Sequence, residues 1–391
     1  MKCWGAYYSG QLGDGTETGR YVPAIVRGFK LNHDFDADVK ADGSRRSSPD
    51  RLWAFMGRKG LLGWSIPAAY GGEGARYSDI RPAVEALVRR GGRPGLALSW
   101  AVHLIVGKTL IADCGARRLK KEILPAMASG NMTVSIALSE PGAGSDPKRM
   151  RTTAARKGSG YVLDGEKAWL TNGPAADLFV VFAVTGQRGG RKGFTAFVVP
   201  RESPGLSVQG APPLGCLEPA AHCTIRLDRC FVPATAVLGR KGRAWEDLSK
   251  PFRVVEDVLL AGGAVLGGLD RQLERLIRQW RECPGKTAVE AEERIGESAA
   301  LLEAARLIAR EAARALDGRT RSAGVERRLA SLHLLATRCR ESLRGAFETM
   351  GHETPDDLGK DIDTLMALGV PASRARRRNW GYALLNGKER S

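Results

Sequence analysis

The chain has 391 residues, of which 43% are hydrophobic and 26% charged, an ordinary globular composition for two or three domains. No uninterrupted apolar run reaches about 18 residues and no basic-then-apolar leader opens the chain, so we expect no membrane span and no signal peptide. Lys and Arg total 60 against 43 Asp and Glu, a net charge of +17 that favours anionic partners, although no nucleic-acid-binding motif accompanies it.

Residues 1–29 differ from the rest of the chain. The stretch Cys3–Gly15, followed by Pro23–Val26, resembles one repeat of the RCC1 β-propeller family. A single blade cannot bury its faces without neighbouring blades, so we predict a fused remnant or a disordered segment rather than a propeller. The polar residues that follow, up to Pro49, are predicted to form a linker.

Residues 30–132 are predicted to form a helical domain. The sequence Ser-Pro-Asp at 48–50 is typical of a helix start, and apolar periodicity predicts further helices over 78–91, 97–113 and 119–128.

Residues 133–240 are predicted to form a β domain, because β-branched and aromatic runs at 179–184 and 194–200 are bounded by Gly and Pro. Within it, Ser135–Asp146 begins as a short apolar strand and continues as a Gly/Ser/Asp loop. The hydroxyl and backbone N–H groups of such a loop suit a polar or phosphorylated ligand.

The second notable stretch, Tyr161–Gly173, predicts a strand, an Asp-Gly turn at 164–165 and a second strand that ends in Trp-Leu-Thr-Asn-Gly. Trp169 can cover one face of a flat polar ring while Ser139 and Thr171 form hydrogen bonds with its edge. Taken singly, either stretch is equally compatible with ordinary antiparallel strands and turns.

Residues 241–391 are predicted to be helical. Amphipathic patterns run over 254–280, 287–317 and 325–350, whereas the pattern from Leu365 onwards is ambiguous. Long antiparallel helices of this kind pack as a bundle. Seven cysteines without metal-site spacing predict free thiols in the cytoplasm and no metal centre.

The two β-domain stretches together closely resemble the flavin-binding segments of the acyl-CoA dehydrogenase family, roughly A-x-(T/S)-E-P-x-A-G-S-D and G-x-K-x-W-(I/L)-T-N-G. The resemblance implies a mainly α fold with a central β domain: a helical N-terminal domain, a β barrel and a C-terminal four-helix bundle. It also implies FAD as the cofactor. The residues that it implies for FAD binding are Ile136, Leu138, Ser139, Gly144, Ser145, Trp169, Leu170, Thr171 and Arg281.

Two of these assignments carry a qualification. Gly144 and Ser145 are expected near the flavin phosphate or the substrate. Arg281 begins a segment that resembles the R-x-x-F-G turn whose Arg reaches FAD in a neighbouring subunit, but Pro284 stands in place of the Phe. The family's Q-x-x-G-G-x-G loop for the ADP half of FAD should fall near 348–355, where only Gly351 matches.

Resemblance also supplies the expected reaction: a carboxylate removes the α-proton of an acyl thioester, and flavin N5 accepts hydride from the β-carbon. The C-terminal E-G-T segment that usually holds the base is missing. Instead, Val254–Gly263 resembles the L-E-R-L-V-L-A-G-G helix of isovaleryl-type members, with Glu256 as the base. Apolar neighbours would raise its pKa. Asp257 stands where the family usually has Arg, and the alternative is a helix acid that does no chemistry.

Three functions are therefore open. The first is dehydrogenation of an acyl thioester bound to coenzyme A or to an acidic acyl carrier protein, with an electron-transfer partner or oxygen as the acceptor. The second is another flavin reaction on the same fold, such as monooxygenation or oxidation. The third is a non-catalytic binding subunit. In each case the family resemblance implies a homodimer or homotetramer. The basic charge is also compatible with nothing more than solvated helix faces.

Overall fold

The computed structural model describes residues 49–210, 215–282, 289–318, 323–351 and 356–387. The RCC1-like segment at 1–29 lies outside the described residues. The chain divides into two compact units, each with its own internal contacts. One comprises 48–75 and 98–257, and the other includes 76–97 and 258–391.

Along the chain, helices come before and after the strands of the sheet. They are α1 (Pro49–Arg58), α2 (Tyr77–Arg89), α3 (Pro94–Ile105), α4 (Arg117–Ser129), α5 (Lys250–Leu259), α6 (Leu266–Glu282), α7 (Val289–Asp317), α8 (Ala323–Thr349) and α9 (Asp356–Asn386). A π-helical turn at Val106–Ala112 extends α3, and another at Leu260–Val265 joins α5 to α6. The helices predicted in the N-terminal region are present within a few residues, and the ambiguous pattern from Leu365 onwards belongs to α9.

The helical segment Pro94–Ala112 is long and apolar enough to cross a membrane, but 89% of its tested window is buried in the protein. Trp100 donates a hydrogen bond to the Leu61 carbonyl, and Ser65 donates one to the Leu104 carbonyl. The segment therefore has the environment of a core helix.

Eight strands form the central sheet. They are β1 (Val134–Ala137), β2 (Thr153–Lys157), β3 (Gly160–Thr171), β4 (Leu178–Arg188), β5 (Arg191–Pro200), β6 (Leu206–Gly210), β7 (His222–Pro233) and β8 (Val237–Leu238). The strand order is β6-β7-β3-β2-β4-β5-β8, and β1 pairs in parallel with β4. The predicted fold class, with helices before and after a central β domain, is confirmed. The described strand pairings of that domain form an open path that runs from β6 to β8.

Apolar side chains on one face of the strands form the core of the sheet, because successive side chains of a strand point to opposite faces. Phe179 and Val181 of β4 pack in one apolar cluster with Phe197 of β5 and Ile225 and Leu227 of β7, and all five are buried. This core fixes the strands that carry the two notable stretches.

The Asp-Gly turn predicted at 164–165 is wrong. Strand β3 runs without interruption from Gly160 to Thr171, and the hairpin to β2 closes instead at 157–160. Gly165 occupies an irregularity in the pairing of β3 with β7, where a Cβ would lie 2.6 Å from the Thr152 hydroxyl oxygen. Asp164 accepts a hydrogen bond of 2.7 Å from the Arg229 N–H. The Asp-Gly pair therefore permits close packing inside a strand.

The second unit contains a buried ionic network between α2, α6 and α7. The Arg81 guanidinium contacts Glu85 at 2.6 Å and donates to the Gly262 carbonyl at 2.7 Å. Arg306 pairs with both Glu85 and Asp270. Because buried charges require partners, this network fixes the register of α2 against the neighbouring helices.

Candidate functional site

Strands β1 and β3 bring the two notable stretches together. The Ala168 N–H donates to the Ser139 carbonyl at 3.0 Å, and the Ser135 hydroxyl donates to the Thr171 carbonyl at 2.8 Å. Residues that lie about 30 positions apart in the sequence thus form one continuous surface.

A bulge turns Trp169 out of the sheet. The pairing of β3 with β7 shifts between Lys167 and Leu170, so two residues of β3 lie opposite one residue of β7. Trp169 has φ +62° and its side chain is 46% exposed, whereas the neighbouring Leu170 is buried. A left-handed backbone is uncommon for an aromatic residue and is held here by the surrounding sheet.

The polar groups around Trp169 are available for a ligand. The hydroxyls of Ser139 and Thr171 form no hydrogen bond with any residue that the structure describes, and both residues are half-buried. Leu138 is buried beside them and Ile136 is half-buried. An exposed aromatic face beside two available hydroxyls fits a flat ring with polar edges, such as the ring of a flavin.

A buried ion pair holds the two stretches in register. Lys167 Nζ lies 2.9 Å from Glu140 Oε1 and donates to the Leu138 carbonyl at 3.1 Å. The Glu140 carboxylate also accepts hydrogen bonds from the backbone N–H groups of Arg151 and Thr152. Burial alone would raise the pKa of Glu140, but Lys167 and these N–H groups hold it below its ordinary value. Burial lowers the pKa of Lys167 to about 8.

The loop after Glu140 is closed by reciprocal backbone hydrogen bonds between Glu140 and Gly144, of 2.8 and 2.9 Å. Gly144 has φ +56°, a conformation that glycine adopts without strain. The next residue, Ser145, accepts a hydrogen bond from Arg253 of α5. This contact attaches helix α5 to the first stretch.

Glu256 lies on α5, one turn after Arg253, and residues three apart on a helix are neighbours on its surface. The side chain is half-buried. Burial raises the pKa of Glu256 to about 7; Arg253 acts against this shift and Asp257 adds to it. A carboxyl group with this pKa can accept a proton at neutral pH.

The predicted residues for the adenine side of FAD are less fully described. Arg281 lies near the end of α6, in the other compact unit, and its side chain is exposed. Gly351 follows α8 with φ +68°. The residues at 283–288 and 352–355, which include the substituted Pro284, lie outside the described residues. The roles of Arg281 and of this loop therefore stay predictions.

Three residues of the site escaped the sequence analysis. Lys167 is the one cation of its stretch and Glu140 is an acid of the other, a pattern that could have indicated a buried pair, although further acids in both stretches obscured it. Arg253 has no such signal, because its contact with Ser145 depends on how α5 packs.

The fold and the candidate site describe a protein whose β domain, between helical regions of the chain, carries groups suited to a flat polar ring. Comparison with protein families specifies it further. Residues 30–131 match the acyl-CoA dehydrogenase N-terminal domain and residues 135–230 match the acyl-CoA dehydrogenase middle domain. Together these matches span half of the chain, which belongs to the acyl-CoA dehydrogenase family. The N-terminal domain match begins at residue 30, and the RCC1-like repeat at 1–29 stays a prediction.

Similar proteins include isovaleryl-CoA dehydrogenase of Solanum tuberosum, 37% identical over 55% of this chain and 51% of that protein. L-prolyl-[peptidyl-carrier protein] dehydrogenase of Pseudomonas fluorescens is 34% identical over 59% of this chain and 60% of that protein. The chain thus spans about half the length of the curated relatives that it matches. Among solved structures, an FAD-dependent dehydrogenase has a TM-score of 0.76 at 26% identity, covering 89% of this chain and 95% of that chain. The expected cofactor, FAD, agrees with this neighbour.

Proposed function

We propose that the chain is an FAD-dependent dehydrogenase that forms an α,β double bond in an acyl thioester, with Glu256 as the base. The observation that carries the proposal is the hydrogen bond from Arg253 to Ser145, because it ties the helix of Glu256 to the flavin-type loop. The pKa of Glu256, about 7, suits removal of a proton near neutral pH. FAD, when bound, accepts the hydride that leaves the β-carbon.

Within this proposal the chain's own residues have separate binding and positioning roles. Trp169 covers a face of the flavin ring, and Ser139 and Thr171 form hydrogen bonds with its edge. Lys167 and Glu140 hold the two strands that carry these groups. Arg281, Gly144 and Ser145 are assigned to phosphate or substrate groups. We also propose an electron-transfer protein or oxygen as the acceptor.

An absorbance spectrum of the purified protein tests the proposal, followed by anaerobic addition of an acyl thioester. A flavin spectrum that bleaches on addition supports dehydrogenation. A yellow protein that does not bleach with any acyl thioester would favour another flavin reaction, and a colourless protein that takes up no FAD would favour a binding subunit.

The double substitution Trp169→Ala with Thr171→Ala is expected to lower FAD occupancy. An aromatic contact contributes about 0.5–1.5 kcal/mol and a hydrogen bond a similar amount, so the affinity should fall about 10- to 100-fold. The measurement is the flavin-to-protein absorbance ratio after titration with FAD. Trp380→Ala, at a Trp of α9 that is 36% exposed, is the control and should leave the affinity unchanged. Equal affinity in the double variant would contradict the assignment of the ring site.

We further propose that the acyl group is delivered by an acidic carrier protein. The support is an exposed arc of α9, hereafter the α9 face, formed by Arg374, Arg377, Arg378, Leu384 and Leu385. At 100° per residue these side chains lie within about 120° of the helix circumference. The sequence from 364 to 388 contains no acidic residue. Since two copies of this face would repel each other, an acidic partner suits it better than a second copy.

Reversing the charges of Arg374, Arg377 and Arg378 to Glu is expected to slow association with an acidic acyl carrier protein. The wild-type association rate should fall with salt, because exposed charges are screened within about 10 Å at 0.1 M. Stopped-flow association over a salt series measures both effects. The control reverses Arg117, Arg118 and Lys121, three exposed charges on α4, and keeps the net charge equal to that of the test variant. Equal slowing in both variants, or no salt dependence, would overturn the assignment of the α9 face.

A further inference from the structure

Arg253 is a half-buried cation with an unusual set of neighbours. Its guanidinium donates to the Ser145 hydroxyl and lies over the Trp245 ring, 5.9 Å from the centroid. No carboxylate of a described residue forms an ion pair with it. Because partly buried arginines generally pair with a carboxylate, the absence of one calls for another explanation of this charge.

The contacts of Arg253 fix the position of its charge. Ser145 belongs to the loop closed by Glu140 and Gly144, and Trp245 precedes α5 in a π-helical turn. Trp245 is itself held against Phe194 of β5, at 5.8 Å between ring centroids. The guanidinium is therefore held from two sides, by Ser145 and by the Trp245 ring.

The next turn of α5 carries Glu256 and Asp257. Glu256 lies three residues after Arg253, a spacing that makes the two side chains neighbours. Asp257 follows directly and has the opposite charge to Arg253. In the described chain these two are the charged groups that act on the Glu256 carboxyl, Arg253 lowering its pKa and Asp257 raising it, while burial supplies the main increase.

We propose that Arg253 and Asp257 are a pair of opposed charges that sets the basicity of Glu256, and that Arg253 is the positioning residue that keeps the Glu256 carboxylate ready to take the α-proton. This inference rests on the proposed role of Glu256 as the base. Arg253 acts through Glu256 and exchanges no proton itself. Asp257 occupies the position where the family pattern usually has Arg, so the cation at 253 supplies positive charge from one turn earlier.

The test is the pH profile of single-turnover flavin reduction by an acyl thioester. Arg253→Met removes the cation, so the midpoint of the rising limb should move to higher pH. Asp257→Asn removes the anion and should move the midpoint to lower pH. On the acid side of the midpoint, a shift of one pH unit changes the rate about tenfold. Arg253→Lys keeps the charge and should stay close to the wild type.

Ser145→Ala separates charge from structure, because it removes the hydrogen bond and leaves the guanidinium. Ser145→Ala should therefore keep the wild-type midpoint, whatever its effect on binding. If Arg253 only held the loop, Arg253→Met would likewise lower the rate at every pH without moving the midpoint. Melting temperatures over a pH series provide a second readout. The difference in melting temperature between each variant and the same variant with Glu256→Gln added should change with pH around the same shifted midpoint.

Opposite shifts for Arg253→Met and Asp257→Asn support the inference. If the midpoint moves in neither variant, although both are folded and Glu256→Gln still slows the reaction, this inference is overturned and the proposed function is not. If Glu256→Gln does not slow the reaction, the proposed function fails first, so the two failures are distinguishable.

Discussion

Glu256→Gln is expected to bind FAD and acyl thioester but to reduce the flavin about 10²–10⁴-fold more slowly than the wild type. Gln keeps the size and much of the hydrogen-bonding shape of Glu and loses the basicity. The α-proton of a thioester is weakly acidic, so its removal depends on a positioned base. Anaerobic stopped-flow measurement of flavin bleaching, at saturating thioester, gives the rate directly.

Asp257→Asn is the matched control for this prediction. Consecutive residues on a helix point about 100° apart, so Glu256 and Asp257 cannot both face one α-carbon. The control should retain most of the rate at its own pH optimum. If Asp257→Asn abolishes reduction while Glu256→Gln does not, the base is Asp257. If neither change matters, Glu256 does not act as proposed.

Glu256→Gln should also stabilise the fold at alkaline pH. The pKa of Glu256 is about 7 in the folded protein and near 4.5 when unfolded, so the folded state holds the extra proton between these values. Stability therefore falls as pH rises from about 4.5 to 7, and Gln removes that loss. At about 1.4 kcal/mol per pKa unit, the gain above pH 7 is on the order of 3 kcal/mol and should vanish near pH 4.5. Thermal unfolding at both pH values checks the sign.

The sequence was sufficient for the fold class because that depended on local patterns, and it named the candidate ring-binding residues, whose roles stay predictions. Helical periodicity located most helices, and the two motifs named Leu138, Ser139, Trp169 and Thr171, which the structure brings together. The prediction for Trp169 rested on residue type and motif. The bulge that turns it outward depends on pairing with β7, a contact about 55 residues distant.

The failures have a common physical origin in tertiary contacts. An Asp-Gly pair usually favours a turn, but Gly165 is needed inside β3 because Thr152 approaches its backbone closely. Arg253 gave no local signal, since its meaning depends on Ser145, 108 residues earlier. Lys167 stands in the sequence as part of a motif, and its complete burial depends on its contacts with Glu140 and the Leu138 carbonyl, 27 and 29 residues earlier.

The last prediction concerns that buried charge. Lys167→Met is expected to destabilise the protein by about 3–5 kcal/mol, because it leaves the Glu140 carboxylate buried without its counter-ion. The Leu138 carbonyl would also lose its donor, next to Ser139 of the proposed ring site. FAD occupancy should therefore fall together with stability. Urea unfolding and the flavin-to-protein absorbance ratio measure the two effects.

Two controls make this prediction specific. Glu140→Gln combined with Lys167→Met removes both charges and should cost less than Lys167→Met alone, since no unpaired ion stays buried. Arg118→Met breaks the exposed pair with Glu122, whose side chains are 70% and 55% exposed, and should cost less than about 1 kcal/mol. If Lys167→Met were no more costly than Arg118→Met, the buried pair would not be what holds the two flavin-type strands in register. A double variant as unstable as the single one would instead place the loss in the packing around Lys167 and not in its charge.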